Sequence, residues 1–183
     1  MTGKLKTIVG PMYAGKTSAI LQEILWINHC NLNILVIKPK IDNRYSQDHV
    51  ETHNRLSYPC FAMNNWQEVL DKHTLMPYNY NTVFLDEVQF MDTEETLLQV
   101  NLMLDNGINV VAAGLNQDSR GKPFETTANL MALSDEIKLI EAICTVCGKP
   151  ATKTQRIDTS GDRVAVGSAG MYEPRCLEHW TPK

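Results

Sequence analysis

The sequence predicts an α/β protein, a parallel sheet flanked by helices, with a small cysteine-containing unit toward its C-terminus. Three observations predict it. Short apolar runs alternate with stretches of helical periodicity between Leu5 and Ile143, as buried parallel strands and their covering helices do. Gly-Pro-Met-Tyr-Ala-Gly-Lys-Thr at 10 to 17 satisfies G-x-x-x-x-G-K-[ST] between one such run and a helical stretch. Cys144-x-x-Cys147 and Cys176-x-x-His179 form two pairs with metal-ligand spacing.

Leu5, Ile8 and Val9 make the first strand, and the motif follows it directly. Gly10 and Gly15 let the backbone turn so that successive N–H groups face a phosphate, and a helix beginning near Lys16 adds the positive end of its dipole. Lys16 would set a point charge on the β- and γ-phosphates, and the Thr17 hydroxyl would be one ligand of a magnesium ion. The expected ligand is a magnesium nucleoside triphosphate, and the expected sheet is P-loop NTPase-like.

Ile20, Leu21, Ile24, Leu25 and Ile27 form an apolar stripe over 14 to 28 that packs a first helix on the sheet. Ile34 to Ile37 reads as a buried strand, ended by Lys38-Pro39. From Lys40 to Pro59 the pattern turns polar and predicts a long functional loop. His49 and His53 stand there at helical spacing without a third metal ligand beside them. Cys60 to Met63 reads as a strand, and Asn65 with Glu68 as a reciprocal helix cap, with Trp66, Val69 and Leu70 on the apolar side.

Thr82 to Leu85 is an apolar strand that ends in Asp86 and Glu87. An acid at that place downstream of a P-loop holds magnesium directly or through water, which is the role of Asp86. Glu87 is the candidate general base, because phosphoryl transfer to a hydroxyl needs a carboxylate to take its proton. Asp92 with Glu95 starts another helix, whose buried side is Leu97, Leu98, Leu102, Met103 and Leu104, with Asn106-Gly107 ending it. Ile108 to Ala113 is a buried strand. The loop from Gly114 to Phe124 sits at its C-terminal end, where open α/β sheets bind ligands; Arg120 and Lys122 in it are candidate phosphate partners. A short helix over Asn129 to Leu133 and a strand over Ile137 to Ile143 close this part.

Two units are therefore expected, a nucleotide-binding domain over 1–140 and a zinc-binding domain over 141–183. Cys144, Cys147, Cys176 and His179 make a closed tetrahedral set, so the zinc is structural, in a zinc-ribbon-like unit. Gly161, Gly167 and Gly170 mark the segment between the pairs as a flexible loop pinned by the metal.

Composition narrows the function. At 183 residues and 43% hydrophobic the chain suits one ordinary core plus a small appendage. A net charge of -4 gives no reason to expect nucleic acid as partner, and no run is long enough to span a bilayer. Met1 to Lys6 leads straight into a strand without a signal-peptide apolar region. Five cysteines, an odd number gathered toward the C-terminus, fit metal in a reducing compartment better than disulfides, with Cys30 and Cys60 read as buried packing. A soluble cytoplasmic protein is expected.

Taken in order, Gly-Pro-Met-Tyr-Ala-Gly-Lys-Thr (10 to 17), Lys-Pro-Lys-Ile-Asp-Asn-Arg-Tyr (38 to 45), Asp-Glu-Val-Gln-Phe (86 to 90), Gly-Leu-Asn-Gln-Asp-Ser-Arg-Gly-Lys-Pro-Phe (114 to 124) and the paired zinc motif with Thr154, Gln155 and Arg156 resemble the thymidine kinase family of cellular, bacterial, poxviral and phage type. The Cys-x-x-His-Trp ending (176 to 180) is similar to phage members. The resemblance implies transfer of the γ-phosphate of ATP to the 5′-hydroxyl of thymidine, with Glu87 as base. It implies nucleotide and magnesium binding by Gly10, Pro11, Met12, Tyr13, Ala14, Gly15, Lys16, Thr17, Asp86 and Gln89. It implies that Met12, Phe90, Leu115 and Phe124 surround the thymine, with Thr154 and Tyr172 bordering it. It also implies that the loop over Ile157 to Tyr172 closes on the nucleoside, that Asp42 and Arg44 lie near the phosphates, that dTTP acts as a feedback ligand, and that the assembly is a homotetramer. The chain departs from the family pattern at Asn116, Ser119, Ser168 and Gly170-Met171, all in the pocket lining or the closing loop.

A P-loop ATPase whose zinc ribbon grips nucleic acid or a protein is the alternative for the same two motifs. It needs a basic face, for which the ribbon offers Lys149, Lys153, Arg156 and Arg163.

Overall fold

A computed structural model describes residues 2–41, 48–51, 56–73, 79–157 and 170–182. Six strands form one sheet in the order β5-β2-β6-β7-β1-β8: β1 (Leu5–Val9), β2 (Ile34–Pro39), β5 (Phe61–Met63), β6 (Thr82–Leu85), β7 (Asn109–Gly114) and β8 (Glu136–Leu139). Every neighbouring pair in it is parallel. The first strand–helix–strand unit is therefore not a nearest-neighbour crossover, since β6 and β7 lie between β1 and β2.

Alternation along the strands divides the core into two layers. Leu5, Leu35, Ile37, Val83, Leu85, Val110 and Ala112 face one way, against α2 (Trp66–Lys72), α3 (Thr93–Asp105) and α4 (Glu125–Leu133). Ile8, Val36, Phe84, Val111 and Ala113 face the other way, against α1 (Lys16–His29) and Val50 of a hairpin formed by β3 (His49–Glu51) and β4 (Ser57–Pro59). Fully burying one such side chain contributes about 1.5–3 kcal/mol, which is why so many strand positions are apolar.

Several expected details change. The loop from Lys40 to Pro59 contains the β3–β4 hairpin, whose three-residue strands are too short to show as a period in sequence. His53, Asp42 and Arg44 lie outside the described residues. The α4 helix begins at Glu125 rather than Asn129, because Phe124 is extended and Glu125 suits a first turn. The strand foreseen over Ile137 to Ile143 splits: β8 ends at Leu139, and β9 (Ala142–Ile143) joins a second sheet with β10 (Pro150–Ala151). Not every residue of the foreseen apolar stripes is buried, since Leu25, Leu70, Leu98 and Leu102 are exposed while Val100 and Met103 carry the α3 contact. Cys30 is exposed and so is not core packing, whereas Cys60 is half-buried and packs against the core layer of Ile8 and Phe84. The helix caps hold, with Asn65 accepting from the Glu68 N–H at 3.1 Å and Asp92 from the Glu95 N–H at 2.9 Å. The Glu68 carboxylate returns to the Asn64 N–H, one residue earlier than the reciprocal cap predicts.

After β10 come β11 (Lys153–Arg156) and β12 (Tyr172–Arg175), an antiparallel pair. Among the described residues no helix is long and apolar enough to cross a membrane.

Candidate active site and metal centre

The motif loop leaves β1 in the middle of the sheet and enters α1 at Lys16. Tyr13 (φ 64) and Gly15 (φ 85) both take the left-handed conformation, which in short loops helps successive amides turn toward an anion. Gly15 bears that conformation without cost, whereas Tyr13 is held there with its ring exposed. Lys16 is 8% exposed and folds back on its own loop, its Nζ donating to the carbonyls of Pro11 at 2.8 Å and Gly10 at 3.2 Å. A buried cation held within a glycine-containing loop at a helix N-terminus is the chemistry of an anion site.

The second half comes from β6. Thr17 Oγ1 donates to Asp86 Oδ2 at 3.1 Å, so the motif hydroxyl and the strand-end acid meet. Asp86 Oδ1 accepts the Glu87 N–H at 3.0 Å. Glu87 itself sits at φ 53, ψ 41, a conformation that a non-glycine residue adopts only when its surroundings fix it, and it is 8% exposed. Its Oε2 accepts a short hydrogen bond from Gln89 Nε2. Gln89 Oε1 in turn accepts the Leu115 N–H at 3.0 Å, tying the carboxylate to the loop after β7. Oxygen donors of Thr17 and Asp86 suit a hard dication such as magnesium.

The apolar candidates gather at the same end. Phe90 ends a single 3-10 turn (Val88–Phe90) that packs on β7 and α4, and Leu115 and Phe124 flank those two elements. Thr154 Oγ1 accepts the Met12 N–H at 3.0 Å, which brings β11 onto the motif loop. Tyr172 pairs in register with Arg156 two residues beyond, and the Arg156 guanidinium lies 5.8 Å from its ring centroid. Arg120 and Lys122 are exposed, their backbone N–H groups held by Asp118 Oδ1 at 2.9 Å each. Sequence reasoning passed over Asp118 and Trp180. An aspartate two residues before Arg120 and four before Lys122 was the available signal for a side-chain-capped turn.

Cys144, Cys147, Cys176 and His179 bring their donor atoms within 4.8 Å of one another. Tetrahedral zinc with Zn–S near 2.3 Å sets sulfurs about 3.8 Å apart and sulfur and nitrogen about 3.6 Å apart. The Cys147–Cys176 separation is 3.7 Å, and His179 Nδ1 lies 3.2 Å from Cys176 and 3.9 Å from Cys144. Three sulfurs and one imidazole at those distances fit zinc. Burial pushes the Cys144 thiol up, but N–H donors of Cys176, Val146 and Cys147 outweigh it and hold it at about 6, so the thiolate is available near neutral pH.

A P-loop whose threonine hydroxyl meets the acid at the end of a parallel strand, beside a cluster of three cysteines and a histidine, belongs to a nucleotide-binding protein of the α/β class. The family model for thymidine kinase matches residues 3–180, and the chain belongs to the thymidine kinase family. It is 38% identical to the thymidine kinase of Thermococcus kodakarensis, over 97% of this chain and 93% of that one. It is 38% identical to that of Pyrobaculum aerophilum, over 96% and 97% of the two chains. With that of Mesomycoplasma hyopneumoniae the identity is 35%, over 95% and 93%.

Proposed function

We propose that the protein transfers the γ-phosphate of ATP to the 5′-hydroxyl of thymidine, giving dTMP and ADP. The observation that carries this reading is Glu87, a nearly buried carboxylate in a constrained backbone, beside the Thr17–Asp86 contact. In the mechanism the loop of Gly10, Pro11, Met12, Tyr13, Ala14 and Gly15 wraps the triphosphate, its non-proline residues offering the main-chain N–H donors, and Lys16 leaves its loop carbonyls for the phosphate oxygens. Magnesium, when bound at Thr17 and Asp86, neutralises charge developing on those oxygens. Glu87 accepts the proton of the attacking hydroxyl, with Gln89 orienting its carboxylate. Met12, Phe90, Leu115 and Phe124 enclose the thymine, and Thr154 and Tyr172 border it. Catalysis is then mainly positioning and fixed electrostatics.

The division at 140/141, structural zinc at the C-terminal cluster, homotetramer assembly, dTTP feedback and a cytoplasmic site of action belong to the same proposal. Support for it over the nucleic-acid-binding ATPase comes from the ribbon's cations. Lys153 donates to Gln117, Lys149 pairs with Glu178, and Arg156 is buried against Tyr172, so these described cations are turned inward or neutralised.

The test is phosphate transfer from magnesium ATP to each of the four common deoxynucleosides, with Glu87→Gln alongside. Thymidine-selective transfer that falls about 10²–10⁴-fold in the variant is the expected result. ATP hydrolysis with no transfer to any nucleoside overturns the reading.

A further inference from the structure

We propose that Trp180 is a positioning residue, which clamps the loop from Leu115 to Phe124 to the metal-pinned unit and so sets affinity for the nucleoside rather than for ATP. The inference rests on the reading that Leu115 and Phe124 enclose the nucleoside.

Trp180 follows His179, a donor of the metal cluster, so a metal fixes the backbone from which its indole projects. The indole N–H donates to the Ser119 carbonyl at 3.1 Å. The ring seats on Gly121, which has φ 79, and a Cβ there would stand 2.9 Å from Trp180 Cη2. Only glycine allows both the backbone conformation and the contact. Lys153 Nζ lies over the indole ring, 5.0 Å from its centroid, and it donates to Gln117 Oε1 at 2.9 Å. Gln117 Nε2 then donates to the Thr152 carbonyl at 3.1 Å. The loop is thus held to the small unit at 117, 119 and 121.

The loop transmits that hold because it is closed on itself. Asp118 N donates to the Lys122 carbonyl at 2.8 Å, Gln117 bridges Pro123, and Phe124 N donates to the Asn116 carbonyl at 3.2 Å. A shift at Ser119 therefore carries Phe124 with it. Lys16, Thr17 and Asp86, by contrast, take their positions from β1, α1 and β6. Loosening the clamp should weaken the nucleoside side and spare the nucleotide side.

Trp180→Ala removes both ring and donor, Trp180→Phe keeps a ring on Gly121 without the donor, and Gln117→Ala cuts the Lys153 arm away from the metal ligands. Metal content, tryptic cleavage after the exposed Arg120, and KM for thymidine and for ATP are measured on the full chain. Expected are unchanged metal content, faster cleavage at Arg120, and a thymidine KM raised about tenfold in Trp180→Ala and less in Trp180→Phe. The ATP KM stays within about twofold, the split a general loss of structure does not give. Unaccelerated cleavage overturns the clamp. Accelerated cleavage with an unchanged thymidine KM, or with both KM values raised alike, overturns its link to the nucleoside. Should Trp180→Ala not fold or lose its metal, Trp180→Phe and Gln117→Ala decide by the same readouts. A wild-type chain that phosphorylates no nucleoside refutes the kinase reading instead, and the proteolysis still decides the clamp.

Discussion

In the sheet, Ile8, Val9, Phe84 and Leu85 are wholly buried and two apolar layers sandwich the strands, whereas among the described residues of the C-terminal unit the buried apolar cluster is Ala142, Cys144, Ala151 and Cys176. The first region can hold strand ends in place by apolar burial alone. The second cannot, and half of its small core consists of metal-ligand cysteines. Yet both contribute to the candidate site, since Thr154 of the small unit accepts from Met12 of the motif loop. On the proposed reading, precision at the nucleoside end depends on a metal and precision at the phosphate end on packing.

Removing the metal should separate the two regions most sharply. Ligation of structural zinc in short peptides is worth roughly 10–16 kcal/mol near neutral pH, far more than that buried cluster can replace. A strong chelator is therefore expected to abolish phosphate transfer and to open the segment around β11 and β12 to protease, while far-ultraviolet circular dichroism keeps the signal of the α/β sheet. Re-added zinc should restore transfer. If the small unit stays protected without metal, the contrast between the regions fails.

Emptying the core of the sheet tests the other side. Phe84 is fully buried in the strand that positions Asp86 and Glu87. Phe84→Ala is expected to cost about 3–5 kcal/mol, read in denaturant unfolding, through lost transfer energy and the cavity left behind. Metal content of the folded fraction should not change. A parallel loss of zinc would show that the small unit leans on the sheet more than its own ligands suggest.

This contrast also decides what the sequence made legible. The P-loop, the strand ending at Asp86 and the Cys/His spacing are local patterns with local chemistry, and the structure brings their residues together. The order of strands is not local. Nothing between Val9 and Ile34 shows that β6 and β7 will insert between β1 and β2, because that order depends on pairings made far along the chain. The left-handed backbone of Glu87 was equally hidden, since glutamate carries no sign of a positive φ. Trp180 on Gly121 joins residues that sequence reading had treated separately, one as the end of a metal motif and one as a turn. Stripes such as that on α3 overstated burial, because a leucine at helical spacing counts as apolar whichever side of the stripe it lies on.

Acid separates the two regions by a smaller effect, with opposite partners. The Lys40 ammonium, helped by the Asn64 side chain and N–H, holds the Glu68 carboxyl at about 2 from an ordinary 4.5. A depressed carboxyl stabilises the fold fully above its unfolded value of 4.5, and that contribution is lost as pH falls from there to about 2. The metal-free Cys144 thiol, by contrast, sits at about 6, so below that pH protons compete with the metal for its sulfur. On titration downward from neutrality, zinc release, followed with a chromophoric chelator, should precede any loss of the sheet's circular dichroism. Glu68→Gln should lower thermal stability slightly at pH 7 and not at all near pH 2, because the pair is exposed and its wild-type benefit is gone there. Sheet unfolding before zinc release would reverse the order of robustness, because the packed region would then be the more acid-sensitive of the two.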